Sequence, residues 1–298
     1  MVKPSLFLWG VAEITAASRS PLSLSLISHR APSERLLFWA PSKMSCRIAQ
    51  IHKVSSHSEV YEPCDDSFAL VDALLADRTN LLEHKPTLCL ELGCGSGYVI
   101  TSLALMLGEL PGVHYIATDV NLHAVRVTRE TLQAHNVHAD VIATDLASGL
   151  DSRLAGLVDV IVVNPPYVPT PDDEVGQEGI TSAWAGGVDG RAVIDRILPV
   201  VDKLLSDRGW FYMVTLTSNN PLQICRQMKA GGYASRIVVQ RSTEEESLHI
   251  IKFWRDSGDP MCKKETATLK KTSSGKVMDS VLSQIHRLPF WKKVESND

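Results

Sequence analysis

A glycine-rich loop follows a short apolar segment and is the first feature with chemical meaning. The run Thr87–Leu92 leads through the acid Glu91 into Gly93, Gly95 and Gly97. Glycines allow a sharp turn and let a ligand approach the backbone closely. The G-x-G-x-G spacing differs from the G-x-G-x-x-G of dinucleotide sites, and no Lys-Ser/Thr pair follows it, as a phosphate-binding P-loop would require. A carboxylate beside such a loop suits a ligand that carries an ammonium and a sulfonium.

Further acids follow the next two apolar segments. Asp119 comes about two dozen residues after the glycine loop, where an acid can accept both hydroxyls of a ribose. Asp145 and its neighbour Leu146 follow a third segment and are placed to meet an adenine. Asp119 alone is equally explained as an acid favoured by a helix N-terminus. Acids at successive strand ends together predict one ligand, S-adenosyl-L-methionine.

The loop Asn164-Pro165-Pro166-Tyr167 is the candidate reaction site. Two prolines remove N–H donors and stiffen the backbone, so the Asn164 side chain and the Pro165 carbonyl can both accept hydrogen bonds. A planar NH2 group offers two matching donors, and Tyr167 can stack on it. Held in this way beside the cofactor, which Asn164 also borders, its nitrogen can be aimed at a methyl group. The alternative is a Pro-Pro loop that merely ends a strand.

Strand and helix patterns alternate from residue 87 onward. Such alternation predicts a doubly wound α/β fold of the Rossmann-like class, with a seven-stranded, mostly parallel sheet covered on both faces. The last two strands lack a helix between them and should form an antiparallel edge pair. Strands are predicted at 87–92, 114–118, 137–143, 158–163, 209–216, 237–240 and 248–254, and helices at 98–107, 121–135, 191–205 and 222–229.

The chain of 298 residues divides by charge into three parts. Lys and Arg exceed Asp and Glu by three in residues 1–43 and again in 257–298, so a total of −4 leaves residues 44–256 at −10. We interpret 44–256 as the catalytic domain and 257–298 as a disordered basic tail. Residues 1–43 are either an organelle transit peptide or an unstructured extension. Six cysteines without a C-x-x-C pair suggest reduced thiols in a cytoplasmic or nuclear protein, or in an organelle if 1–43 is a targeting segment.

These motifs together resemble the HemK-like class I methyltransferases. The resemblance spans roughly residues 45–255 and rests on 60–68 (VYEPCDDSF), 91–97, 164–167 and 183–191. It implies an S-adenosylmethionine-dependent protein methyltransferase that modifies the glutamine of the Gly-Gly-Gln loop in a translation release factor. The chain is most similar to the short eukaryotic and archaeal branch, which lacks a separate N-terminal helical domain.

The resemblance also assigns residues and a partner. Tyr61, Pro63 and Ser67 would border the methionine end of the cofactor. The eukaryotic branch pairs with a small zinc-binding activator subunit that covers a hydrophobic sheet edge, so we expect a heterodimer and no metal ligands in this chain. Trp184 is either a wall of the substrate site or a packed anchor of its loop.

Three alternatives remain open at this stage. Members of the branch are also associated with lysine methylation of histones, and an acidic domain suits a basic peptide. Asn-Pro-Pro-Tyr loops also serve enzymes that methylate the N6 amine of adenine in nucleic acids, although a domain of charge −10 repels phosphates. The third is a scaffold without catalysis, against which the intact motifs argue.

Overall fold

Seven strands form one mixed sheet in the computed structural model, which describes residues 48–177, 179–242 and 247–256. The predictions for 1–43 and 257–298 lie outside these residues. The strand order is β3-β2-β1-β4-β5-β7-β6; β1 to β5 pair in parallel, and β7 is antiparallel to both of its neighbours. The strands are β1 Leu88–Leu92, β2 His114–Asp119, β3 Asp140–Ala143, β4 Val158–Val163, β5 Leu205–Leu216, β6 Tyr233–Ser242 and β7 Ser247–Arg255.

The predicted fold class is therefore confirmed, including the antiparallel pair at one edge. In the structure β7 lies between β5 and β6. The edge strand β6 and the inner strand β7 therefore form an antiparallel hairpin pair. Strand order reverses between β1 and β4, whose last residues Leu92 and Val163 are paired neighbours. Ligands of open α/β sheets bind beyond the carboxyl ends of the strands at such a switch point.

Alternate side chains of the central strands enter two separate cores. Val160 and Val162 pack on one face of β4, whereas Ile161 and Val163 pack on the other. All six residues of β4 are buried, which explains why its sequence is apolar apart from Asp159 rather than alternating.

Six helices cover the two faces of the sheet within the described residues. Those before and between the first strands (α1, α3 and α4) contribute to one core, and α5 and α6 to the other. The helices are α1 Asp65–Ala76, α2 Arg78–His84, α3 Tyr98–Met106, α4 Leu122–Ala134, α5 Ile194–Leu204 and α6 Pro221–Ala230. No helix among the described residues is long and apolar enough to cross a membrane.

The structure differs from the sequence prediction at several boundaries. The predicted helix from Arg191 begins only at Ile194, because the Arg191 N–H donates to the Asp189 side chain in a preceding turn. The strand predicted from Val137 begins at Asp140, because the Val137 N–H still donates to Leu132 at the end of α4. The strands predicted at 209–216, 237–240 and 248–254 all extend further. Helices α1 and α2 were not predicted at all.

Candidate active site

A cavity of about 1000 Å³ opens beyond the carboxyl ends of β1, β2 and β4. It brings together every residue predicted for the cofactor and substrate sites except Pro63, Gly97 and Pro165. Cofactor binding by the lining residues stays a prediction. Of the predicted residues, it is lined by Tyr61, Ser67, Glu91, Gly93, Gly95, Asp119, Asp145, Leu146, Asn164, Pro166, Tyr167 and Trp184.

The three glycines of the loop serve two different purposes. Gly93 and Gly95 have φ values of +76° and +50°, and a Cβ on either would meet nothing within 4 Å. Their backbone conformation therefore favours glycine, and the space beside them is open to a ligand. Gly97 instead begins α3, where a Cβ would lie 2.9 Å from the Cα of Thr128 in α4. Its role is to let two helices pack closely.

Two carboxylates flank this loop, of which Glu91 is buried and Asp119 is partly buried. Glu91 is 2% exposed and accepts a hydrogen bond from the Ile100 N–H at 2.9 Å. Burial raises the pKa of Glu91 well above its usual value, an effect that the Ile100 hydrogen bond only partly offsets. Asp119 accepts from the N–H groups of Gly95 and Asn121 at 2.9 and 2.8 Å. Burial likewise raises the pKa of Asp119.

The far end of the cavity combines apolar and charged groups. Val120 and Leu122 are 66% and 71% exposed, although both are apolar. Asp145 forms an ion pair with Arg196, and Leu146 has a φ of +52°. Apolar side chains beside a carboxylate acceptor suit a flat base with an exocyclic amine. Together with the open glycine backbone and the carboxylates of Glu91 and Asp119, these groups fit S-adenosylmethionine.

Asp66, which was not among the predicted site residues, joins the reaction loop to α1. Its Oδ2 accepts hydrogen bonds from Asn164 Nδ2 at 3.0 Å and from the Tyr167 hydroxyl at 2.8 Å. Its Oδ1 accepts from the Cys64 thiol and from Ser67. Burial raises the pKa of Asp66, but these hydrogen bonds outweigh the burial, and the net pKa lies below the usual value. Asp66 is therefore ionised, and both of its carboxylate oxygens already accept hydrogen bonds from the protein.

This contact fixes the orientation of the Asn164 amide. With Nδ2 bound to Asp66, the Asn164 Oδ1 is buried and has no hydrogen-bond partner in the structure. Reversing the amide would place Oδ1 against a carboxylate oxygen, so two acceptors would face each other. A buried acceptor without a partner is costly, and because Asn164 lines the cavity, a bound ligand is the candidate for the missing donor.

Aromatic side chains form one side of the cavity mouth. The rings of Tyr61 and Trp184 lie 6.2 Å apart at an angle of 59°. Tyr61 is 45% exposed, and both rings line the cavity. Trp184 also belongs to a packed loop, since its carbonyl accepts from the Val168 N–H at 3.0 Å. Trp184 therefore lines the cavity and is also anchored in its loop, and its contact with a substrate stays a prediction.

Asp66 could have been found from the helical pattern of its own segment. It lies four residues before Leu70 and eight before Leu74, which are both fully buried in α1. An acid on the buried face of a helix indicates a partner inside the protein. Because α1 was not predicted, this signal was missed.

Comparison with known proteins identifies relatives of this chain. The methyltransferase small domain family matches residues 64–220. The chain is 46% identical over 196 residues to the human protein named methyltransferase HEMK2, covering 66% of this chain and 90% of that one. It is 36% identical over 223 residues to the eRF1 methyltransferase catalytic subunit mtq2 of Schizosaccharomyces pombe, covering 71% and 96%. A solved E. cuniculi Mtq2–Trm112 complex, described as responsible for methylation of the eRF1 termination factor, is 29% identical and covers 66% of this chain and 99% of its own, with a TM-score of 0.49.

Proposed function

This chain belongs to the methyltransferase small domain family, and from that premise we propose that it methylates the side-chain amide of a glutamine. The acceptor is the glutamine of the Gly-Gly-Gln loop in a translation release factor. The enzyme is an S-adenosylmethionine-dependent N-methyltransferase. The name of the S. pombe relative, an eRF1 methyltransferase subunit, supports a release factor as the acceptor protein.

The unpartnered Oδ1 of Asn164 is the observation that carries this proposal. Asp66 holds the Asn164 side chain so that its Oδ1 needs a hydrogen-bond donor from the substrate. A primary amide can supply this donor, because its two N–H groups lie in one plane. The hydrogen bond from the substrate amide to Asn164 Oδ1 also directs the substrate nitrogen toward the methyl group. Since methyl transfer is an in-line displacement, most of its acceleration comes from such orientation.

The chain's own residues act by positioning and polarisation. Bound S-adenosylmethionine supplies a methyl group on a positively charged sulfur. Asn164 accepts an N–H of the incoming amide, which raises electron density on a nitrogen whose lone pair is otherwise delocalised. As this nitrogen bonds to the methyl carbon, the bond from that carbon to sulfur breaks, and the methylated nitrogen loses one N–H proton to solvent. Asp66 does not serve as the base, because its lowered pKa and its bound donors make it a poor proton acceptor. Its part is to hold Asn164 and Tyr167.

Lysine is the second candidate acceptor, and the charges around the cavity argue against it. A lysine side chain enters as an ammonium, which has no lone pair for the methyl group. Among the described residues, the cavity is lined by five carboxylates and a single Arg. Nearby carboxylates raise the pKa of an ammonium and keep it protonated. A neutral amide needs no deprotonation before it reacts. The acidic lining still favours a basic peptide around the glutamine, and a histone lysine remains an outcome of the test.

The same charges argue against a nucleic-acid substrate. Glu59, Asp66, Glu91, Asp119 and Asp145 line the cavity, and Arg196 is already paired with Asp145. Phosphate groups approaching this mouth would meet net negative charge, whereas nucleic-acid enzymes neutralise phosphates with Lys and Arg. A protein loop is the better fit.

We also propose a small zinc-binding partner subunit, bound at the β3 edge of the sheet. β3 is a four-residue edge strand, and the groove of about 520 Å³ beside it includes Val113, Tyr115, Leu132 and Val137. An edge strand with an apolar groove suits the addition of a partner strand. The S. pombe relative's name, catalytic subunit, supports a second subunit. Val137→Arg should abolish co-purification with the subunit, and Ile237→Arg on the opposite edge strand β6 should not.

The test is labelled-methyl transfer by the full chain with its partner subunit. Acceptors are a release factor, its Gln→Glu and Gln→Lys loop variants, histones and duplex DNA. The proposal expects label on the release factor, and none on the Gln→Glu variant, whose carboxylate cannot donate to Asn164. Label on histones, on DNA or equally on the Gln→Lys variant would contradict the glutamine assignment.

A further inference from the structure

Asn219 lies outside the cavity yet contacts the backbone of the reaction loop. It is the last residue of a short 3-10 turn, Thr217–Asn219, at the carboxyl end of β5, and it is 0% exposed. Its Nδ2 donates to the Tyr167 carbonyl at 2.7 Å and to the Asp189 carbonyl at 3.1 Å. Its Oδ1 accepts from the Leu216 N–H at 2.7 Å. One buried amide thus joins three separate segments.

The two loops that Asn219 joins also touch each other directly. Val168 N–H donates to Trp184 at 3.0 Å, and Gly186 N–H donates to Val168 at 2.9 Å. At Gly190, where φ is +68°, a Cβ would lie 2.1 Å from the Tyr167 carbonyl oxygen and 2.3 Å from Asn219 Nδ2. The contact is so close that only glycine fits without displacing the reaction loop.

A buried arginine supports the turn that carries Asn219. Arg191 is 5% exposed and donates to the Asn219 carbonyl at 3.3 Å. The other nitrogens of its guanidinium group donate to Asp195 in α5 and to Gln227 in α6. Arg191 therefore connects the turn that carries Asn219 to helices α5 and α6.

We propose that Asn219 is a positioning residue that holds the reaction loop and the Trp184–Gly190 loop in register. This inference rests on the proposed function, because the loop it positions is the one that receives the acceptor amide. Tyr167 is held at both ends: its hydroxyl by Asp66 and its carbonyl by Asn219. Without the second contact, Asn164 keeps its chemistry but the acceptor nitrogen loses its alignment with the methyl group.

The first test compares two glycine variants at positions that both have a positive φ, +68° at Gly190 and +86° at Gly232. Gly190→Ala forces the Tyr167 carbonyl aside, whereas Gly232→Ala meets nothing within 4 Å and directly precedes β6. We expect kcat to fall about 10- to 100-fold in Gly190→Ala, as for a displacement of about 1 Å. The dissociation constant of S-adenosylmethionine should stay within about twofold. Gly232→Ala should retain wild-type kcat. Equal kcat values in the two variants would overturn the proposal.

The second test uses Asn219→Asp and a readout independent of catalysis. The new side chain keeps an acceptor for Leu216 but loses both donors to the loops. Hydrogen exchange of peptides containing Val168 and Gly186 should accelerate, while peptides from α3 should exchange as in the wild type. Exchange unchanged at Val168 and Gly186, or accelerated equally throughout the protein, would reject the positioning role. If wild-type protein transfers no methyl to a release factor, the proposed function fails, and the exchange result still decides whether Asn219 holds these loops.

Discussion

The Asn164 side-chain amide donates to Asp66 over 3.0 Å, and this one contact leaves the Asn164 carbonyl oxygen buried and without a partner. Asp66 lies in the first turn of α1 and Asn164 directly follows β4, so the contact connects residues 98 positions apart. The orientation of the Asn164 side-chain amide is thus set by tertiary structure rather than by the Asn-Pro-Pro-Tyr motif itself.

Asp66→Asn should reduce methyl transfer without comparable loss of cofactor binding. The variant replaces an acceptor with a group that can face Asn164 in either orientation, so the Asn164 amide is no longer fixed. We expect kcat to fall about 10- to 100-fold, because a hydrogen bond to a charged group contributes about 1.5–3 kcal/mol. Steady-state kinetics with a release factor measure this. The adjacent, exposed Asp65→Asn is the control and should behave as wild type.

Asp119→Ala should weaken binding of S-adenosylmethionine. Loss of a carboxylate that accepts hydroxyl donors costs about 1.5–3 kcal/mol, which corresponds to roughly 10- to 100-fold in the dissociation constant. Isothermal titration calorimetry gives this constant directly. Asp207→Ala changes an exposed acid in β5 and controls for the lost charge. An unchanged constant in Asp119→Ala would remove Asp119 from the cofactor site.

Binding of S-adenosylmethionine should release protons and strengthen as pH rises. Burial raises the pKa values of Glu91 and Asp119 in the free protein, so these carboxyls take up protons at higher pH than ordinary acids do. A cationic ligand favours the ionised form and lowers these pKa values. Affinity therefore increases with pH until both groups are ionised in the free protein. Calorimetry in two buffers of different ionisation enthalpy measures the proton release, which Glu91→Gln should diminish. Proton uptake on binding would contradict this prediction.

The sheet was predictable from sequence because its central strands consist mainly of buried apolar residues. The prediction for β4, residues Val158–Val163, matches the structure at both ends, since six buried positions, five of them Val or Ile, are followed directly by Asn-Pro-Pro. The helix predicted at 121–135 is observed as α4, and the Asn121 side chain caps it by accepting from the His123 N–H. The boundaries that failed, at Val137 and Arg191, depend on turns closed by particular hydrogen bonds, which composition does not reveal.

The lining of the site was largely predictable, whereas its internal connections were not. Motifs at strand ends identify residues that face a shared cavity, because the carboxyl ends of parallel strands meet at one edge. Asp66 and Asn219 act through side chains that reach across from other segments. The helical pattern of α1 marks Asp66 as buried but does not identify its partners, and no local spacing marks Asn219. Gly97 and Pro165 belong to the right motifs but do not line the cavity, because the first packs against α4 and the second is buried.

The central claim is that the side-chain oxygen of Asn164, Oδ1, accepts a hydrogen bond from the glutamine amide that is methylated. Single-turnover methyl transfer by Asn164→Ala tests this claim most directly. Wild-type and variant protein, saturated with labelled S-adenosylmethionine, are mixed with a release factor, and cofactor affinity is measured in parallel. We predict a loss of about 100-fold or more in the transfer rate, as for the removal of one oriented polar group at a reacting centre. The cofactor dissociation constant should change little. Transfer at the wild-type rate in Asn164→Ala would contradict the account.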